Sequence, residues 1–298
     1  MEFQNLTVNM LTTFLTINET GSISKASEVL YVDQSSISRR IRQLEDELKV
    51  TLFERSSKGV ELTHSGKVLQ NFAKRFLLDL KQLSQQLSSE EIKLENTRIG
   101  TYDSITSNIY PRFFGKQLKN FQEVLISNDT SKLITNFNDG NLDAIIVDGE
   151  FEGEIISSAN NISLFTEPYY VVYSLMNSNQ ELINRSKITV DLLKKFEIFL
   201  YPATCPIHRK VVATYQNVPL SNIHQIEFSE SAISLVLHSE MVTILPKSVA
   251  INYVTKNVSK LGMKQLEHKF DRHISLFAKN EQIINLLIEE GLSEDYLN

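Results

Sequence analysis

Apolar residues recur at helical spacing through the N-terminal third of the chain, then give way to short apolar runs divided by polar turns. Ile37, Ile41, Leu44 and Leu48 mark one stripe of a helix, so this stripe is expected to be buried. Ser35, Ser38, Arg39 and Arg42 then fall on the opposite side. Ile23 to Leu30 is a second short amphipathic piece, with Ala26, Val29 and Leu30 apolar and Ser22 or Ser24 able to cap it. Asp33 is a good N-cap for the helix that follows. Val8 to Asn18 forms a third helix, sharing Leu11, Phe14, Leu15 and Asn18 on one face. Two short helices joined by a tight turn, the second with a polar outer face, describe a helix-turn-helix. Thr51 to Arg55 and Val60 to Thr63 read as two short strands around a turn, a basic wing carrying Arg55 and Lys58.

Thr63 can cap a long helix that starts at His64 and runs to about Glu91 without a proline. Leu69, Ala73, Phe76, Leu80, Leu83 and Leu87 alternate in steps of four and three, a heptad seam that predicts pairing of two helices; the alternative is packing on its own domain. Ser84 to Asn96 is polar and is read as a hinge.

From Thr97 the texture changes to alternating strands and helices. Strands are expected at Arg98–Tyr102, Glu123–Ser127 and Leu142–Val147, with helices at Ser104–Lys119, bent at Pro111, and Ser131–Asn138. Ile162 to Leu175 is strand-like and crosses to a second lobe. There the pattern predicts strands at Glu197–Tyr201, His224–Phe228 and Met241–Pro246, and helices at Val190–Lys195, Ile207–Gln216 and Ser231–His238. His273–Phe277 returns to the first lobe, and Glu281–Glu290 closes the chain. Two α/β lobes joined by crossover strands leave a cleft at the strands' C-terminal ends. The expected division is residues 1–63 for the winged helix-turn-helix, 64–95 for the linker and dimerisation helix with its hinge, and 96–298 for the two-lobed unit. Lobe I spans about 96–165 and 268–298, lobe II about 166–267.

Composition narrows the function classes. Over 298 residues the net charge is −6, so the whole molecule is no basic nucleic-acid coat. Between residues 33 and 58 six cations face five anions, leaving +1, but Arg39, Arg40 and Arg42 precede the acidic run Glu45-Asp46-Glu47. That segregation matters more than the total, because salt screens charge beyond ~10 Å. The single cysteine, Cys205, excludes an intrachain disulfide and fits a reducing compartment. Met1 to Asn5 lacks the basic start and apolar core of a secretion signal, and no run approaches the ~20 apolar residues of a membrane span. A cytoplasmic protein is expected.

The N-terminal motifs resemble those of the LysR-type transcriptional regulators. The residues that carry the likeness are Gly21-Ser22-Ile23-Ser24-Lys25-Ala26-Ser27, Gln34-Ser35-Ser36-Ile37-Ser38-Arg39, Leu44-Glu45-Asp46-Glu47-Leu48, Leu52-Phe53-Glu54-Arg55 and Leu62-Thr63-x-x-Gly66. Asp33 departs from the usual Ser or Thr, and Arg40 stands where the family often has Gln. The second half is similar more loosely, through Leu133-Ile134-x-x-Phe137-x-x-Gly140-x-Leu142-Asp143-Ala144-Ile145, Phe165-Thr166-Glu167-Pro168, and Leu235-Val236 through Ile244-Leu245-Pro246. His238-Ser239-Glu240 replaces glycines common before the last strand. The resemblance implies an α/β fold class: a winged helix-turn-helix, a long linker helix, and a two-lobed, periplasmic-binding-protein-like effector domain. It also implies a homodimer, a homotetramer and contact with RNA polymerase.

Hydroxyls and guanidinium groups suit phosphate oxygens and guanine's acceptor edge. Gln34, Ser35, Ser38 and Arg39 are the base-edge candidates, Arg42, Arg55 and Lys58 the phosphate candidates, and Arg40 serves either way. Positions just after strands supply the effector candidates Tyr102, Asp103, Ser104, Asn128, Asp148, Thr204 and Ser229. Carboxylates at 103 and 148 predict an effector that is neutral, zwitterionic or cationic; the alternative is that both are exposed capping or turn residues. Cys205 lies close to His208, a conceivable nucleophile and base, but it reads better as a small apolar side chain. The histidines show no ligand spacing, only 10 glycines are present with no phosphate loop, and no metal or cofactor is expected beyond a small-molecule effector. The reading is a non-enzymatic DNA-binding regulator. Its rival is an enzyme or solute carrier that uses the cleft alone, with the N-terminal part serving oligomerisation.

Overall fold

The computed structural model describes residues 5–56, 59–87, 92–176, 180–214, 222–267 and 270–292. The chain divides into two compact units, Met1–Glu90 and Glu91–Asn298. In the first, α1 (Val8–Thr20), α2 (Ile23–Leu30) and α3 (Gln34–Leu48) are followed by a hairpin of β1 (Phe53–Ser56) and β2 (Gly59–Leu62), then by α4 (His64–Leu87). Each start is capped by the side chain that its sequence offers. Thr7 accepts from the Met10 amide, Ser22 from Lys25, and Asp33 from Ser36. Gly21, Tyr31 and Lys49 end the three helices in the left-handed region.

Leu11, Phe14, Ile17, Ala26, Ile37, Leu44 and Leu52 have no exposed surface and form the core of this unit. Each large apolar side chain buried there contributes ~1.5–3 kcal/mol. Two motif residues are explained by packing at the wing. Glu45 Oε1 accepts from the Leu52 amide at 2.7 Å, tying α3 to the hairpin's entry. Gly66 sits so tightly that a Cβ would meet the Leu52 carbonyl oxygen at 2.3 Å. The hairpin is antiparallel with Phe53 opposite Leu62.

The heptad seam of α4 is used differently along its length. Leu69 and Ala73 are buried in the unit's own core, with Phe76 packed against it, so here the intradomain alternative holds. The exposed apolar positions are offset by one residue, Val68 at 61% and Phe72 at 52%, joined further on by Leu83 at 48%. Among the described seam residues, Leu83 alone is exposed and Leu80 is half-buried. The Leu87 side chain and the middle of the expected hinge, 88–91, lie outside the described residues.

The second unit has two sheets. Lobe I holds β3 (Arg98–Thr101), β4 (Glu123–Ile126), β5 (Ala144–Asp148), β6 (Asn160–Glu167) and β13 (Arg272–Ala278), in the order β4-β3-β5-β13-β6. Lobe II holds β7 (Tyr169–Ser174), β8 (Lys187–Ile188), β9 (Ile198–Leu200), β10 (Ile223–Gln225), β11 (Val242–Pro246) and β12 (Leu261–Leu266), in the order β10-β9-β11-β7-β12-β8. Pro168, which cannot donate to a ladder, divides the expected crossover strand into β6 and β7. β3, β4 and β5 are parallel, whereas β13 runs antiparallel to β5 and β6.

Helices cover the sheets: α5 (Pro111–Gln117), α6 (Thr130–Asn138) and α12 (Glu281–Leu287) in lobe I, and α7 (Gln180–Ile183), α8 (Val190–Leu193), α9 (Pro206–Thr214), α10 (Ser229–Leu237) and α11 (Lys247–Lys256) in lobe II. A π-helical turn, Ile105–Ile109, leads into α5, and Pro111 occupies its first turn, where the missing N–H does no harm. Helix α11 and strand β12 were not anticipated. α11 buries only Val249 and Ala250, and the inner residues of β12 are half-buried, so neither carries a clean period. The turn at His238-Ser239-Glu240 needs no glycine: His238 Nδ1 and Ser239 Oγ bond the carbonyls of Ser234 and Leu235. Among the described residues no helix is long and apolar enough to cross a membrane.

Candidate functional site

Two places in the chain gather functional groups, one in each unit. On α3 the apolar stripe faces inward, with Ile37 and Leu44 fully buried and Ile41 at 8% exposure. Gln34, Ser35, Arg39 and Arg42 are exposed on the other side, and Ser38 is half-buried. Asp33 organises the helix start: it accepts from Ser35 Oγ at 2.5 Å, from Ser36 Oγ at 2.7 Å and from the Ser36 amide at 2.8 Å. Hydrogen bonds from Ser35 and then Ser36 hold its carboxyl well below the usual range. Gln34 Nε2 donates to Ser24 Oγ at 3.1 Å, linking the helix pair across its turn. Arg40 differs from its neighbours. It is half-buried, with Nη1 3.4 Å from Thr13 Oγ1 of α1, so it braces the three-helix core. Arg55 belongs to β1, but its side chain, like all of Lys58, lies outside the described residues. Tyr31, in the turn before α3, is 96% exposed, with its backbone in the left-handed region.

The second site is a cavity between the lobes, with an unfilled volume of about 30 Å³, space for roughly two waters. Parallel strands supply its walls from their C-terminal ends, as the fold class requires. Tyr102 follows β3, Asn128 follows β4, Asp148 ends β5, Tyr201 follows β9 and Pro246 ends β11; Ser104, Cys205 and Pro206 complete this side. Tyr169 and Arg272 line it from the crossovers. Four of the expected residues, Tyr102, Ser104, Asn128 and Asp148, thus meet here. Asp103 does not: it is exposed, and its backbone carbonyl accepts from the Thr106 and Ser107 hydroxyls. Thr204 is half-buried and outside the lining. Ser229 stands one shell back, its Oγ 2.5 Å from the Tyr201 hydroxyl.

Arg272 was missed, as were Glu167, Tyr169 and Tyr201. Arg272 is 4% exposed and 4% is also the exposure of its partner Glu167. Arg272 Nε donates to Glu167 Oε1 at 2.8 Å, Nη2 donates to the same oxygen, and Nη1 donates to Ser104 Oγ at 3.1 Å. The Ser248 amide and hydroxyl satisfy the rest of the Glu167 carboxylate. Sequence reasoning looked only after strands. Arg272 begins β13, which runs antiparallel to β5, so its first residue lies at the end where β5 finishes. Tyr201 was missed because β9 stops one residue earlier than the apolar run.

Strand β5 offers a comparison of carboxylates at its two ends. Asp143, just before it, accepts from Arg98 Nε and Nη2 at 2.9 Å and from Lys279 Nζ at 2.6 Å. Burial would raise this carboxyl, but the Arg98 hydrogen bonds and the Lys279 charge outweigh burial and hold it below its ordinary value. Asp148, at the other end, has no exposed surface. Its Oδ1 accepts from the Glu150 amide at 3.1 Å, while Oδ2 has no hydrogen-bond partner. Burial, the largest influence, pushes this carboxyl above the usual range. Lys210 is within electrostatic reach, but its Nζ bonds Glu150 Oε1 at 2.8 Å and the Asp271 carbonyl at 2.9 Å.

Side-chain contacts also bridge the two lobes. Arg209 pairs with Glu154 at 2.9 Å and lies 4.7 Å from the centre of the Phe151 ring, and Asn252 Nδ2 donates to Asn108 Oδ1 at 3.1 Å. Burial pushes the Cys205 thiol up to about 12, and His208 Nδ1 contacts the Tyr201 carbonyl at 2.6 Å, so this geometry makes neither an activated nucleophile nor its base. His273 bonds Thr166, His224 bonds Glu197, and His268 lies outside the described residues. Among the described residues no cluster of three His, Cys, Asp or Glu side chains could hold a metal ion.

Comparison with known proteins matches both units. A family model described as bacterial regulatory helix-turn-helix protein, lysR family, fits residues 8–67, and one described as LysR substrate binding domain fits residues 95–289. The HTH-type transcriptional regulator YofA of Bacillus velezensis is 28% identical, the alignment covering 94% of each chain. The regulator SoxR of Arthrobacter sp. is 25% identical over 83% of this chain and 81% of that protein. A full-length OxyR of Pseudomonas aeruginosa, solved as a cysteine-to-aspartate variant, shares the fold with a TM-score of 0.65 at 20% identity, covering 98% of both chains. Full-length LysG of Corynebacterium glutamicum, solved with bound effector Arg, does so with a TM-score of 0.61 at 15% identity, covering 96% of this chain and 97% of that one.

Proposed function

This chain belongs to the LysR family of bacterial helix-turn-helix transcriptional regulators, and from that premise we propose how its two units share the task. It is a DNA-binding regulator with a substrate-binding domain. In our reading α3 enters the major groove, with Gln34, Ser35, Ser38 and Arg39 at base edges and Arg42, Arg55 and Lys58 at phosphates. Arg40 drops out of this set, because its guanidinium rests on α1. The carrying observation is that Ile37, Ile41 and Leu44 are buried while Arg39 and Arg42 stand exposed on the same helix.

One such helix reaches only a few base pairs, so two copies must combine for genomic specificity. The second copy would pair along α4. In support, an apolar groove of about 450 Å³ lined by Leu48, Val50, Leu52, Val68 and Phe72 lies open beside that helix. A homodimer, assembling further into a homotetramer and working with RNA polymerase in the cytoplasm, completes the reading. The cavity around Arg272 takes the effector. Because residues of both lobes line it, occupancy can favour one arrangement of the oligomer over another. The protein then acts by binding and not by catalysis.

Gel-shift titration on DNA from upstream of the protein's own gene, at two salt concentrations, tests this. Binding should be specific and fall steeply with salt. Retardation that is absent, or equal for unrelated DNA at every salt concentration, would sink the proposal.

A further inference from the structure

We propose that the interlobe cavity takes a small aminocarboxylate, its ammonium group against Asp148 and its carboxylate against Arg272 and Ser104. This rests on the reading of that cavity as the effector site. The first observation is the orphaned Oδ2 of Asp148, a buried carboxylate oxygen of a residue that lines the cavity. Buried charges are ordinarily paired. Asp143 at the far end of the same strand is met by Arg98 and Lys279, and Glu167 is met by Arg272 and Ser248. Asp148 alone of these three is left with an unanswered oxygen, and it alone of them lines the cavity.

The second observation is on the neighbouring strand, where Arg272 opens β13 beside the end of β5 that carries Asp148. A guanidinium has five N–H donors, and Arg272 directs three of them to Glu167 and Ser104. Two remain for a ligand, and a carboxylate is the acceptor that matches their planar spacing. The Ser104 hydroxyl, which accepts from Arg272, still has its own hydrogen to donate.

Charge selects between ligand classes. A simple carboxylate would satisfy Arg272 but leave Asp148 unmet and repelled. A simple amine would satisfy Asp148 but leave the guanidinium's spare donors dry. A molecule with both groups answers both side chains. Tyr102, Tyr169 and Tyr201 also line the cavity, and aromatic rings tolerate a cation. The unfilled space is small, so the ligand has few heavy atoms or the lobes part to admit it.

Isothermal titration of the full-length protein with glycine, L-alanine, L-serine and β-alanine, against propionate and ethylamine as single-charge probes, tests the proposal. At least one of the four should bind about tenfold or more tightly than either single-charge probe, as loss of one charge-assisted contact predicts. Asp148→Asn should weaken that ligand by a similar factor, with circular dichroism confirming its fold; the probe comparison on the unaltered chain stands without it. Propionate binding as tightly as the four, Asp148→Asn binding undiminished, or no binding by any of the four would overturn the ligand class. A gel shift on the same preparation separates the failures. DNA retarded without aminocarboxylate binding leaves the regulator standing, whereas no retardation removes the regulator itself.

Discussion

On α3 the functional polar groups stand outside the core and the apolar residues inside, whereas around the interlobe cavity the functional polar groups are themselves buried. Arg39 and Arg42 are exposed to solvent until DNA arrives. Arg272, Glu167 and Asp148 are withdrawn from water. The first arrangement needs only a rigid helix beneath it. The second must compensate buried charge from within the protein, and it does so fully for Glu167 and incompletely for Asp148. The DNA unit therefore separates stability from function, and the effector unit mixes them.

Substitutions that break this comparison should differ in kind as well as size. Arg272→Ala leaves Glu167 buried without its cation and should destabilise the second unit by ~3–5 kcal/mol in urea unfolding. Loss of effector binding without loss of stability would refute the account of that pair. Leu44→Ala, fully buried beneath the DNA face, should remove ~2–5 kcal/mol from the first unit and weaken DNA binding only through unfolding. Arg39→Ala should do the reverse, leaving the melting temperature alone while relaxing discrimination at one base pair by ~1–3 kcal/mol, read by binding to a set of singly substituted operators.

Asp148→Asn should raise stability, by ~1–3 kcal/mol, because it removes an unpaired buried charge. The sign with pH follows from the raised carboxyl. The charge, and its penalty, is present above the folded-state value and disappears as pH falls through it, so the variant's advantage should be largest at alkaline pH and shrink in acid. Thermal melts from about pH 8 to about pH 5 would show an advantage constant with pH if this assignment were wrong. The smallest effect is expected at Arg42. Its replacement by Ala should weaken binding evenly across sequences and lower the slope of binding against salt by about one.

How much of this was legible follows from where each signal is stored. The helix pair, wing and α4 could be read because caps, apolar stripes and turns act within a few residues: Asp33 caps α3, Thr63 precedes α4, and Ile37 and Leu44 face one way. The strands β3, β4, β5 and β11 were legible as apolar runs, and their C-terminal ends led to Tyr102, Asn128 and Asp148. Arg272 was not legible, since its value comes from β13 running antiparallel and placing its first residue beside Asp148's end of β5.

The sequence by itself determined which residues of the first unit turn inward, because helical periodicity and hydrophobic burial leave one solution for Ile37, Ile41 and Leu44. It also determined that a cleft would exist at the strand ends. Only the tertiary structure decided that Arg40 braces α1, that Leu69 and Ala73 belong to their own core, and that Asp148 is left unanswered while Asp143 is not. Those outcomes depend on contacts between residues far apart in the chain, and no local pattern records which distant side chain will complete a buried charge.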